Sequence, residues 1–127
     1  MAEALRFLLL AAILLTGLSS GAVVRVQGFA FTGVSNRFIT PNGDGRNDNV
    51  IFTFSNPTDA SVTGKIYDLR GRLIVSDLPP GPTSPPVGSG TLMWDGKAGG
   101  RAVPSGVYIY EIRSAGHAFS GAVVVIR

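Results

Sequence analysis

The strongest fold signal in this chain lies in two neighbouring segments, Trp94-Asp95-Gly96 and Arg101-Ala102-Val103-Pro104-Ser105-Gly106-Val107-Tyr108-Ile109-Tyr110. The first places a large aromatic residue before a tight turn, and the second places proline and glycine before an alternating strand. The only tryptophan and two of the three tyrosines lie here. We therefore expect a structural framework in which Trp94 enters a β-sandwich core, with Tyr108 and Tyr110 on one face of a strand.

The rest of the chain predicts short strands separated by turns. The 127 residues include 17 glycines and 8 prolines, and no segment after residue 22 keeps an apolar period of about 3.6 residues. Seven strands are predicted, at residues 23–31, 50–54, 61–67, 73–76, 91–94, 107–113 and 119–126. This pattern favours an antiparallel β-sandwich of the immunoglobulin or fibronectin type III kind, with a small barrel as the alternative.

The first residues have the pattern of a secretory signal peptide. Arg6 precedes a compact apolar run at residues 7–15, and small residues follow up to Ala22. We expect cleavage after Ala22, leaving one Ig-like domain at 23–127 that is secreted, periplasmic or displayed on a bacterial cell surface, without stable membrane insertion. The alternative is an uncleaved anchor, although the run is shorter than the roughly 20 residues of a membrane span.

Turn residues mark three connections in the predicted domain. Asp68 and Gly71 lie where a hairpin is expected, because Asp68 can accept backbone N–H bonds and Gly71 can supply a positive φ. Residues 114–117 predict a short link that contains His117. Residues 78–90 carry five prolines and three glycines, which predicts an exposed loop.

The loop 40–48 contains the one group of residues whose side chains suit a specific chemical role. Asn42, Asp44 and Asp48 could supply oxygen ligands to calcium from a single curled loop, with Gly45 permitting the bend. The ligand set is incomplete against an EF-hand loop, because Thr40 and Ile51 stand where an aspartate and a glutamate belong. The alternative is a self-capped turn, in which the carboxylates bind amides of their own loop.

Several motifs together resemble known bacterial modules. They are Ile66-Tyr67-Asp68-Leu69-Arg70-Gly71-Arg72-Leu73, Trp94-Asp95-Gly96, Pro104-Ser105-Gly106-Val107-Tyr108 and the closing Ala122-Val123-Val124-Val125-Ile126-Arg127. The first three resemble the Ig-like domain of flagellar hook-capping proteins, and all resemble the C-terminal sorting domains of type IX secretion cargo. Thr40-Pro41-Asn42-Gly43-Asp44-Gly45-Arg46-Asn47-Asp48 is similar to the opening of gliding-motility-associated C-terminal domains. The resemblance implies an Ig-like fold over residues 38–127.

The composition favours a non-catalytic role. His117 is the only histidine, there is no cysteine, and no nucleophile-elbow motif occurs. Eleven basic and eight acidic residues are scattered without the basic stripe that nucleic-acid binding requires. We expect an exported structural or protein-interaction domain that contacts a protein partner. Alternatives are an address read by a type IX secretion machine through the last strand, and a calcium-stabilised adhesin or carbohydrate-binding module using Trp94 and the tyrosines.

Overall fold

The computed structural model describes residues 28–82 and 85–127 of the chain. The strands in these ranges are β1 (Ala30–Val34), β2 (Phe38–Ile39), β3 (Val50–Ser55), β4 (Thr63–Asp68), β5 (Leu73–Val75), β6 (Ser89–Trp94), β7 (Lys97–Ala98), β8 (Arg101–Ala102), β9 (Gly106–Ser114) and β10 (His117–Val125). The predicted signal peptide at 1–22 lies outside the described residues. Among the residues described, no helix has the length and apolar character needed to cross a membrane.

The strands form two larger sheets and one short hairpin. One sheet has the order β1-β3-β6, the second has the order β2-β10-β9-β4-β5, and β7 pairs with β8. Neighbouring strands are antiparallel, except that β2 runs parallel to the end of β10. The prediction of an all-β, sandwich-like fold is confirmed at this level.

The core lies between the two larger sheets. Side chains alternate along each strand, so Phe52 of β3 and Tyr110 of β9 both point inward, with ring centroids 4.7 Å apart. Ile66 and Val123, from β4 and β10, are fully buried in the same cluster. Each large apolar side chain buried in this way contributes about 1.5–3 kcal/mol relative to exposure. This packing joins the sheets without any disulfide.

The structure corrects the predicted number of strands. β2, β7 and β8 were not predicted, because a two-residue strand is too short to show an alternating pattern. β2 exists because the backbone of residues 37–39 hydrogen-bonds to β10, where the Val124 amide donates to the Arg37 carbonyl at 2.7 Å. The first described strand begins at Ala30, and residues 23–27 of the predicted strand 23–31 lie outside the described ranges.

Two predicted connections also differ from the structure. His117 is the first residue of β10, not part of the link, because a two-residue turn suffices: Ala115 and Gly116 both have positive φ, as a type I′ hairpin requires. The segment 78–90 is not simply an exposed loop. Leu78 is buried, Pro80 forms an isolated bridge with Leu92, and the segment's last two residues belong to β6. Proline is tolerated there because the contact is a single bridge at a sheet edge.

Candidate functional site

The Trp94 corner satisfies its own polar groups. Trp94 is only 2% exposed, its Nε1–H donates to the Lys97 carbonyl at 2.9 Å, and its ring meets that of Tyr108 edge-on at 5.4 Å. Asp95 Oδ1 accepts the Lys97 amide at 3.0 Å, which closes the turn. Gly96 has φ 75°, and a Cβ there would lie 2.9 Å from Pro41 Cγ. This corner therefore leaves no room for a larger residue at Gly96.

The two tyrosines expected with Trp94 are also internal. Tyr108 lies two residues after Gly106, which begins β9, and its hydroxyl donates to the Pro104 carbonyl at 2.7 Å. Burial raises the pKa of Tyr108, and the negative charge of Asp68 adds to that rise while Arg127 opposes it. Tyr110 packs on Phe52, and a Cβ on Gly121 would overlap its ring. The ring faces that a sugar-stacking platform would have to expose are therefore buried.

Arg127 joins three loops at the same end of the domain. Its backbone amide donates to Ser105 Oγ at 2.8 Å, and its Nε donates to the Val103 carbonyl at 2.6 Å. Its two terminal nitrogens reach the carbonyls of Pro41 at 3.2 Å and Gly96 at 2.9 Å. The fork of guanidinium donors suits such a set of diverging acceptors. Sequence reasoning missed this clamp, whose only signal was a basic residue directly after an apolar strand.

The acidic loop is organised around Asp48. Its carboxylate accepts the amides of Asn42 at 3.1 Å, Gly43 at 3.0 Å and Gly45 at 2.7 Å. The Gly45 bond, more than the other two, holds the pKa of Asp48 below its ordinary value, although desolvation opposes it. Asn42 Oδ1 accepts the Asp44 amide, and Asp44 Oδ1 accepts the Arg46 amide. Each of the three candidate calcium ligands therefore has an oxygen bonded to its own loop.

Calcium binding by Asn42, Asp44 and Asp48 stays a prediction. The residues described contain no group of three or more histidine, cysteine, aspartate or glutamate side chains placed to hold a metal ion. The carboxylate of Asp48 instead accepts three amides of its own loop. The five hydrogen bonds from loop amides to Asn42, Asp44 and Asp48 are those that a self-capped turn predicts.

A groove opens beside the predicted Asp68–Gly71 hairpin. Gly71 has φ 82°, and Asp68 Oδ1 accepts the amides of Arg70 and Arg72, both at 2.9 Å. Asp68 Oδ2 also accepts Arg72 Nε at 2.7 Å, and the hydrogen bond from the Arg72 amide, above all, lowers the pKa of Asp68. This hairpin and the β7–β8 hairpin border an open cavity of about 610 Å³.

Its lining mixes aliphatic side chains with arginines, and we call it the arginine groove. It is lined by Asp68, Leu69, Arg70, Arg72, Ile74, Ala98, Arg101, Ala102, Val103, Pro104, Gly106, Val107 and Tyr108. The sequence contains no local signal that places Arg101 beside Arg70 and Arg72. The groove forms where two hairpins that are separate in the chain come together, and no local motif encodes that arrangement.

Comparison with known proteins adds no assignment to this geometry. No protein-family model matches the chain, and neither a curated protein nor a solved structure does. The function must therefore be argued from the residues themselves.

Proposed function

We propose that this chain is an exported, non-catalytic β-sandwich module of the immunoglobulin-like kind, acting as a structural or protein-interaction domain at the bacterial cell envelope or surface. Export is supported by the signal-peptide pattern of residues 1–22. The interaction role is supported chiefly by one observation, an apolar row on the outer face of the five-stranded sheet.

That row crosses three strands. Phe38 of β2 pairs with Val124 of β10, which pairs with Val107 of β9, so the three side chains lie side by side. Phe38 is 59% exposed and Val107 is 36% exposed. The solvent face of an antiparallel sheet ordinarily carries polar side chains. A cluster of apolar side chains left on that face favours contact with another macromolecule.

The immunoglobulin-like kind is supported by the start of β9. There the Tyr108 hydroxyl donates to a carbonyl four residues upstream, that of Pro104. A tyrosine that bonds back to the preceding backbone near the start of a strand is a hallmark of such sandwiches. A buried tryptophan between the sheets, here Trp94, is another.

Cell fractionation combined with intact-mass measurement tests the export part of the proposal. We expect the protein in the envelope or medium, with a mass that corresponds to a chain beginning at residue 23. Leu10→Arg, which places a charge in the apolar run, should hold the protein in the cytoplasm at its full mass. Wild-type protein found in the cytoplasm with residues 1–22 intact would overturn export.

Contact with a protein partner is tested separately, by photo-crosslinking of the exported protein. A photo-crosslinking residue at Phe38 should capture a protein partner, whereas the same residue at Pro57, exposed in a loop outside that row, should not. Equal crosslinking at both positions, or none at either, would contradict a contact surface on this sheet face.

The alternative, an address read by a type IX secretion machine, is distinguished by the last strand. Deleting 121–127 would be ambiguous, because Val123 and Val125 are fully buried and β10 lies inside its sheet. Ile126 is 48% exposed, so Ile126→Glu alters the surface of the chain's end with little effect on the core. Blocked export of this folded variant favours the address, and normal export favours the interaction module.

A further inference from the structure

The arginine groove carries chemistry that the fold itself does not use. Leu69, at the tip of the Asp68–Gly71 hairpin, is 68% exposed and lines the groove. Ile74, also in the lining, is only partly buried. Apolar surface left in water costs free energy in proportion to its area. The groove thus offers an aliphatic surface that a ligand side chain could cover.

Charge in the groove is unbalanced. Three arginines, Arg70, Arg72 and Arg101, face a single carboxylate, Asp68. Asp68 already accepts Arg72 Nε and two turn amides, so its charge is neutralised within the hairpin. Arg70 and Arg101 form no ion pair or side-chain hydrogen bond with the residues that the structure describes. Their positive charge is therefore available to a ligand that brings carboxylates.

The position of the groove favours an extended chain as the ligand. β5, which contributes Ile74, is the last strand in the order β2-β10-β9-β4-β5, so one of its sides has no strand partner among the described residues. Arg70 and Arg101 belong to two different hairpins, and both line the cavity. An extended peptide beside a sheet edge can place alternate side chains on an apolar surface and on charged rims.

We propose that the arginine groove binds an extended acidic peptide segment of a partner protein, with a bulky apolar side chain seated against Leu69 and Ile74. Carboxylates of that segment pair with Arg70 and Arg101. The proposal rests on the proposed function as an interaction module and names the chemistry of its partner. Arginine suits this role because its planar fork binds a carboxylate through two hydrogen bonds.

A charge-swap binding experiment on the full-length protein tests the groove. The probe is a short fluorescent peptide of glutamates around one phenylalanine. The matched peptides carry lysines for the glutamates, or serine for the phenylalanine. We expect the glutamate–phenylalanine peptide to bind, each matched peptide to bind about tenfold more weakly or worse, and added salt to weaken binding. Equal binding of the glutamate and lysine peptides, or none of either, would overturn the proposal.

Paired variants locate the site. Arg70→Glu with Arg101→Glu should weaken the glutamate peptide by at least about tenfold and should gain binding of the lysine peptide. A gain that the charge-matched control pair lacks separates recognition at this site from non-specific binding by a misfolded chain. The control pair, Arg37→Glu with Arg46→Glu, makes the same change in net charge at exposed arginines outside the groove lining. Equal loss in the control pair would reject the groove as the site.

Two further outcomes separate competing explanations. Vesicles of anionic phospholipid are a second ligand: if they bind the protein through Arg70 and Arg101 and the peptide does not compete, the groove is a lipid site and the proposal fails. Failure of the groove is distinguishable from failure of the proposed function. An exported protein that crosslinks from Phe38 but does not bind the peptide rejects only the groove. Peptide binding by a protein retained in the cytoplasm rejects only export.

Discussion

The Trp94 corner and the arginine groove share Tyr108, but they differ in whether their polar side chains are bonded within the protein. At the corner the indole N–H and the Tyr108 hydroxyl both donate to backbone carbonyls, at 2.9 and 2.7 Å. In the residues described, no buried side-chain nitrogen or oxygen lacks a partner. In the groove, two arginines and an exposed leucine remain without protein partners among those residues. Buried and fully bonded polar groups indicate a structural role, whereas exposed charge beside apolar surface is available for binding.

Truncating the tryptophan should give the largest effect. Trp94→Ala removes the most voluminous fully buried side chain and should cost about 3–5 kcal/mol of the free energy of unfolding, measured by chemical denaturation. Val87→Ala, at a fully exposed position in the loop before β6, is the control and should change stability by less than about 0.5 kcal/mol. If both variants cost the same, the corner does not hold the fold together.

Removing the Arg127 clamp should give the next largest effect. Arg127→Ala leaves the carbonyls of Pro41, Gly96 and Val103 without their shared donor, at a cost of about 1–2 kcal/mol in the free energy of unfolding. Arg127→Lys keeps the charge but lacks the planar fork, so it should recover only part of the loss. Full recovery by lysine would mean that charge, not the three bonds, matters there.

The Arg127 clamp and the arginine groove also show how much of the structure could be predicted from the sequence. Alternation along residues 107–113 and the turn residues Gly71 and Gly96 are local signals, and they predicted the sandwich-like fold and several strand positions. β2 could not be predicted, because it depends on pairing with β10, where Phe38 pairs with Val124, 86 residues further along the chain. Arg127 and Arg101 acquire their roles only when distant hairpins meet, so no local spacing reveals them.

Acid should weaken the loop held by Asp48. Since folding lowers the pKa of this carboxylate, its stabilisation is present above the unfolded value of about 3.9 and is lost as pH falls through the lower folded pKa. Asp48→Asn should therefore lower the melting temperature at neutral pH, and the difference from wild type should shrink as acid is added. Asp59→Asn, at an exposed loop residue with φ 53°, is the matched control. If the difference in melting temperature between Asp48→Asn and wild type stays constant as the pH falls, the capping role of Asp48 is contradicted.

Calcium should have the smallest effect, because each of the three candidate ligands already has an oxygen bonded to a loop amide. We expect the melting temperature to be the same in millimolar calcium and in chelator. A rise with calcium that Asp44→Ala with Asp48→Ala abolishes would instead establish the site predicted from the sequence. Such a result would give this loop a binding role in addition to its structural one.

One NMR titration tests the contrast between corner and groove most directly. The glutamate–phenylalanine peptide is added to the full-length protein while backbone amide and indole N–H signals are followed together. We expect concentration-dependent shifts at Leu69, Arg70 and Ile74, with the Trp94 indole signal moving no more than signals remote from the groove. Larger shifts at Trp94 than at Leu69, or shifts centred on Arg37 and Arg46, would contradict a binding role for the groove and a structural role for the corner.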